Sequence, residues 1–194
     1  MVKSKINGNY TVPLRRKREK KTNYKKRLSY IKSGLTRLVI RSTSQNYIVQ
    51  LVNYSDNGDN VLSSVDVSSL RKIGWKYFTG NTTSAYLFGL LLAKNKTSEV
   101  TDEVIVDFGL THVLSKSKLY AVVKGAIDGG LNVLVSEEML PSEDRISGAH
   151  VVDYAKSLSK EDYEKQFSRL VKNGVKPENM TNDFLAIKKK ILGA

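Results

Sequence analysis

Residues 3–33 hold twelve lysines and arginines and one acid, Glu19, a concentration of positive charge suited to neutralising phosphate. Arg15, Arg16, Lys17, Arg18, Lys20, Lys21, Lys25, Lys26 and Arg27 form its dense part, with Tyr10 and Tyr24 interleaved. Guanidiniums grip phosphates through paired hydrogen bonds or lie over bases, and phenol rings stack on unpaired bases. The chain has net charge +13, and +11 of it falls within residues 1–36; the rest is nearly balanced, with 20 basic against 18 acidic residues. Ordinary solvated helices mix signs, and this segment does not. A polyanion is its expected partner. Nucleic acid ranks ahead of an anionic membrane because residues 15–21 present no apolar face.

Other chemistry is thinly represented. Asp66, Asp107 and Asp128 could hold Mg²⁺ if the fold brought them to one sheet edge, as in a nuclease or nucleotidyl-transfer enzyme with a basic RNA-binding arm. Val106-Asp107-Phe108-Gly109 contains the Asp-Phe-Gly triplet of protein kinases, but no His-Arg-Asp loop, phosphate-binding glycine loop or strand lysine accompanies it. A strand end with a glycine turn explains it better. Glycines 125, 129 and 130 lack the spacing of a nucleotide-binding loop. Cysteine is absent and the two histidines, His112 and His150, are too few for a nitrogen-ligated zinc site. No catalytic residue, metal or cofactor is expected. The longest apolar stretch, residues 85–93, is too short to cross a bilayer, and the chain reads as soluble and cytoplasmic.

The elements that must position the basic segment follow from periodicity. Pro13 and Ser33-Gly34 bracket one basic helix, on which Tyr24, Leu28 and Ile31 form a narrow apolar stripe. Tyr24 is therefore open to packing and to base stacking. From Arg37 the period is two: strands are expected at 38–41, 47–52 and 61–65, joined by the turns Ser42-Thr43-Ser44-Gln45-Asn46 and Asp56-Asn57-Gly58-Asp59. A short helix over 68–73 stops at Gly74, and a helix capped by Thr82 runs to Lys94. A strand at 104–107, a helix over 116–128 and a last strand at 131–135 complete the body. Helices are expected near 142–158, 160–173 and 181–192. The fold class is α/β: a mixed sheet of three hairpin-linked strands plus two helix–strand units, with helices packed on it. Three parts are expected: a basic arm (1–36), a mixed α/β body (37–140) and a helical C-terminal extension (141–194).

Tyr10-x-Val12-Pro13-x-Arg15-Arg16-Lys17-Arg18-Glu19, then Thr22-Asn23-Tyr24 and Arg27-Leu28, resemble the N-terminus of the 5S rRNA-binding protein of the large ribosomal subunit. This is the universal L-eighteen family in its archaeal and eukaryotic form. The likeness continues through Arg37-Leu38-Val39, Gly74-Trp75, Thr79-Gly80-Asn81, Ser84-Ala85-Tyr86-Leu87, Gly125-Ala126-Ile127-Asp128-Gly129-Gly130-Leu131, Ser147-Gly148-Ala149-His150 and Tyr154. It departs at Thr83, where the family usually has proline, and at Leu134-Val135-Ser136, where a Pro-His pair is common. The resemblance implies a mixed sheet with helices, no enzymatic activity and no small-molecule substrate. It also implies 5S rRNA, large-subunit rRNA and neighbouring ribosomal proteins as partners, in the central protuberance of the large subunit.

On this reading the arm cations neutralise phosphates while Tyr10, Tyr24 and Trp75 supply stacking. Arg41, Ser44 and Asn46, with Thr79, Gly80 and Asn81, provide polar and backbone contacts that fix register without reading bases.

Overall fold

The structure is a computed structural model that describes residues 11–193. Two short helices open it, α1 (Arg15–Arg18) and α2 (Tyr24–Lys32). Strands β1 (Thr36–Ser42), β2 (Tyr47–Ser55) and β3 (Gly58–Val65) follow, then helices α3 (Val67–Ile73) and α4 (Thr82–Lys94). Strand β4 (Val104–Asp107) and helix α5 (Lys118–Asp128) complete the body. The C-terminal segment carries α6 (Glu143–Ser147), α7 (Ala149–Ser157), α8 (Lys160–Gln166), α9 (Ser168–Lys172) and α10 (Met180–Leu192). The sheet order is β3-β2-β1-β4, antiparallel across the two hairpins and parallel between β1 and β4. This is the mixed α/β class expected.

Several details differ from expectation. The basic helix is broken: Lys20 adopts φ +52°, the Lys20 and Lys21 N–H groups bond the carbonyls of Lys17 and Arg16, and Asn23 restarts the helix by accepting from the Lys26 N–H at 3.2 Å. A left-handed residue closing a helix is normally glycine, so lysine gave no sequence signal of this stop. The cap of α4 is Asn81, whose side chain accepts from Ser84 N–H at 2.8 Å, not Thr82. Thr83 sits in the first turn of α4, where a proline is tolerated, so the departure there leaves the helix start intact. Residues 131–135 do not form a strand; they touch the sheet through one parallel bridge, Val104 to Val133. The 142–158 helix is interrupted at Gly148, φ +81°.

Leu38 and Ile40 of β1 face the core, where α4 is buried along its length from Thr83 to Ala93. An all-apolar helix of this kind must be covered on every side. The sheet covers one side and α5 another, while α10 lays Met180, Phe184 and Ile187 into the same core. The Phe184 ring meets Tyr86 at 5.6 Å, and Asp183 accepts from the Tyr77 hydroxyl at 2.8 Å. The C-terminal segment is thus tied to the body by apolar contact and by a hydrogen bond.

The opposite face of β1 carries Arg37 and Arg41, four residues apart and so on one side of the strand. Arg37 is buried and lies 2.7 Å from Asp59 of β3, a contact too poorly aligned to be a hydrogen bond but close enough to compensate the charge. Asp59 also accepts from Arg27 of α2 at 2.9 Å, so this one carboxylate clamps the arm helix to the sheet. Partial burial by itself would raise the Asp59 carboxyl, but the Arg37 and Arg27 guanidiniums outweigh it and hold the group below the usual carboxylate range. Because the folded value is the lower one, the clamp stabilises fully above the unfolded value of about 4 and is lost as pH falls through the folded value. Asp59→Asn is therefore expected to lower the melting temperature at neutral pH. Its deficit against the unmodified protein should shrink once the pH drops below about 4. Melting curves taken across that range check this, and a deficit that stays constant into acid contradicts it.

Candidate nucleic-acid interface

Between α2, the Arg37/Arg41 face of the sheet and the end of β4 lies a cleft of about 460 Å³. Among the described residues six cations line it, Arg16, Lys21, Lys26, Arg27, Arg37 and Arg41, with one carboxylate, Asp107, while Asp59 outside the lining compensates Arg27 and Arg37. Cations held this close attract an anion with several oxygens, and a partly enclosed site screens that attraction less than open water does.

Arg41 is the best-fixed of them. Its guanidinium donates to the Asp107 carbonyl at 2.7 Å, the Asp107 carboxylate at 3.0 Å and the Ile40 carbonyl at 3.0 Å. Asp107 in turn accepts the Gly109 N–H at 2.7 Å, which closes the turn after β4. Gly109 has φ +68°, and a Cβ there would stand 3.0 Å from the guanidinium carbon, so glycine suits both the turn and the close approach. The Asp-Phe-Gly sequence is thus a bracket that aims Arg41, whose side chain remains 44% exposed. Asp128 accepts from the Tyr86 hydroxyl at 2.7 Å, and Asp66 caps α3 by accepting from Ser69 N–H at 3.0 Å. Each of the three carboxylates considered for Mg²⁺ is therefore engaged separately. Among the described residues no group of three or more His, Cys, Asp or Glu could hold a metal.

The arm cations Arg15, Arg16, Lys17, Arg18, Lys20, Lys21, Lys25 and Lys26 are all exposed. Within the arm, Arg16 donates to Thr22 at 2.8 Å, and Glu19 pairs with Lys21 at 3.0 Å and with Arg15 at 3.9 Å. Surface pairs of this kind are weak and leave the cations able to exchange partners. Arg27 differs from the expectation of a free phosphate ligand, since it is half-buried and bonded to Asp59. Tyr24 is half-buried, and of its stripe Ile31 is half-buried while Leu28 stays exposed. Tyr10 lies outside the described residues.

Of the second group, Ser44 and Asn46 are exposed in the β1–β2 turn. Thr79 and Gly80 are buried beneath that turn and serve as its support. The Thr79 hydroxyl donates to the Gln45 carbonyl at 2.7 Å, and a Cβ on Gly80 would lie 2.5 Å from the Ser44 carbonyl. Asn81 is engaged in capping α4. Trp75 corrects the expectation of a stacking ring: it is 3% exposed, packs on Tyr77 at 5.0 Å and donates its indole N–H to the Phe78 carbonyl at 3.4 Å. Its place outside is taken by Phe78, which is 45% exposed.

Arg37, Tyr30 and the Phe108–Thr111 loop were not among the expected contact residues, yet all line the cleft. Tyr30 sits under Lys26, whose Nζ is 5.7 Å from the ring centre. The signals were present in the spacing: Lys26 and Tyr30 are i, i+4 on a helix, and Arg37 and Arg41 share a strand face.

Residues 8–104 match the family model described as "Ribosomal large subunit proteins 60S L5, and 50S L18". The chain is 41% identical over 182 residues to the large ribosomal subunit protein uL18 of Methanothermobacter thermautotrophicus, an alignment covering 94% of this chain and 95% of that protein. No helix among the described residues is long and apolar enough to cross a membrane. With half its length matched by the family model and nearly all of it aligned to that relative, the chain belongs to the L5/L18 family of large-subunit ribosomal proteins.

Proposed function

We propose that this protein binds 5S rRNA and seats it in the central protuberance of the large ribosomal subunit, in the cytoplasm, as a structural and non-catalytic component. The observation that carries the reading is the cationic cleft with six positive side chains and one carboxylate, continuous with an arm whose other cations are exposed. Arm and cleft neutralise successive phosphates of a strand and release its counterions, which supplies affinity without base reading. Arg41, fixed from behind by Asp107, gives a rigid contact, and rigid sugar–phosphate contacts match the way RNA helices are recognised by shape. Ser44 and Asn46 add polar contacts from the β1–β2 turn of the same sheet. Large-subunit rRNA and neighbouring ribosomal proteins meet the remaining surface.

Gel-shift titration of the full chain with 5S rRNA, against a shuffled RNA of equal length and with Mg²⁺ present, tests this reading. Tighter binding of 5S rRNA, with the RNA intact after prolonged incubation, is the expected result. Equal affinity for both RNAs contradicts the assignment. Cleavage abolished by Asp107→Asn or Asp128→Asn would instead establish the nuclease alternative.

A further inference from the structure

A second groove, of about 520 Å³, opens between the body's 76–81 turn and the C-terminal helices α8 and α9. None of its lining residues lines the arm cleft. Phe78 is its conspicuous ring. Trp75 and Tyr77, just before it in the chain, turn into the core, while Phe78 is 45% exposed. The turn that presents it is tied down: the Phe78 carbonyl accepts from Trp75, Thr79 bonds Gln45, and the Thr79 carbonyl accepts from Ser84 at 2.8 Å. A Cβ on Gly80 would lie 2.8 Å from the Phe78 ring, so the glycine keeps room for the ring in this position.

Three exposed cations, Arg71, Lys76 and Arg169, share the groove with Phe78, and among the described residues no carboxylate lines it. Asn46 and Asn173 line it as well. A fixed aromatic face, flanking cations and amides that both donate and accept are what an unpaired nucleotide needs for its base, its phosphates and its base edge. An acidic peptide would satisfy the cations but would leave the ring and the amides less fully used.

We propose that this groove seats an unpaired nucleotide of an RNA strand, with its base stacked on Phe78 and the neighbouring phosphates on Arg71, Lys76 and Arg169. Resting on the RNA-binding function proposed above, the site adds a second RNA contact that depends on docking of the C-terminal segment. The protein would then hold RNA from two sides, by charge along the arm and by stacking at the groove.

The test uses the full-length chain and a short oligouridylate carrying 4-thiouridine, with cross-linked peptides mapped by mass spectrometry. Cross-links are expected in peptides containing Phe78 and residues 166–173. In a chain whose cations at 15–21 are changed to glutamine, Phe78→Ala should weaken oligouridylate binding by about 5- to 100-fold, and Phe78→Trp should retain it. Should Phe78→Ala lower the melting temperature, Lys76→Glu combined with Arg169→Glu probes the same groove from surface positions. Cross-links confined to the arm and its cleft overturn the groove while leaving the arm's role intact. Absence of binding to any RNA overturns both. Benzoylphenylalanine placed at position 78 in assembled large subunits should cross-link to RNA, and cross-linking to protein alone overturns the proposal.

Discussion

Changing Arg15, Arg16, Lys17, Arg18, Lys20 and Lys21 together to glutamine is expected to weaken 5S rRNA binding on the order of 10²–10⁴-fold while leaving the melting temperature unchanged. None of the six is buried, and the side-chain partners they have are Thr22 and Glu19 within the arm itself, so the core loses nothing. Each phosphate contact removed takes about 0.7–0.9 from the slope of log affinity against log salt. If all six act, the slope falls by about 4–5. Lys189→Gln with Lys190→Gln, two exposed cations of α10, is the control and should change the slope far less. A six-fold variant with the original slope would show that these cations do not meet phosphate.

The largest effect on folding is expected at the crossing of α4 and α5. Gly89 and Gly125 face the opposite helix so closely that a Cβ on Gly89 would collide with the Val122 carbonyl and one on Gly125 with the Tyr86 carbonyl. The obstacles are backbone atoms, which cannot rotate away as a side chain can. Gly89→Ala or Gly125→Ala should therefore force the helices apart and cost about 3 kcal/mol or more, above the usual range for adding a methyl to a core. Because α4 is buried from Thr83 to Ala93, the sheet and α10 would lose packing with it. Chemical denaturation of the two variants checks this, and a cost under about 1 kcal/mol contradicts the close crossing. Gly130→Ala separates this effect from backbone strain, since Gly130 has φ +98° but open space around it.

The parts of the fold that were legible in the sequence are those where local chemistry and burial agree. Alternating apolar residues and the Asp56-Asn57-Gly58-Asp59 signal specify the β2–β3 hairpin, whose two-residue turn is Asp56-Asn57. Gly74 stops α3 as its dihedral freedom allows, whereas Asp66, considered for Mg²⁺, is the cap of that helix. Legibility fails where tertiary context decides. The arm helix stops at Lys20, a residue with no intrinsic preference for the left-handed conformation it adopts. Residues 131–135 have the composition of a strand, yet only Val133 reaches β4. The arm cations stand out in the sequence by charge density, and the structure leaves most of them exposed, since exposed charge needs no fold to be seen. Arg37 escaped notice because its role depends on Asp59, 22 positions away in sequence and brought beside it by the β1–β2–β3 hairpins. Trp75, expected to stack, is buried while Phe78 nearby is exposed, because composition cannot tell which of two nearby rings turns inward.

The proposed function has this chain hold 5S rRNA through its arm and the adjoining cleft. The most direct measurement is ultraviolet cross-linking of the protein in its own cells, followed by sequencing of the attached RNA and mapping of the attached peptides. 5S rRNA is expected as the dominant cross-linked species, joined to peptides within residues 11–41 and 107–111. Recovery of other RNAs without enrichment of 5S rRNA, or 5S rRNA joined only to peptides outside those segments, would contradict it.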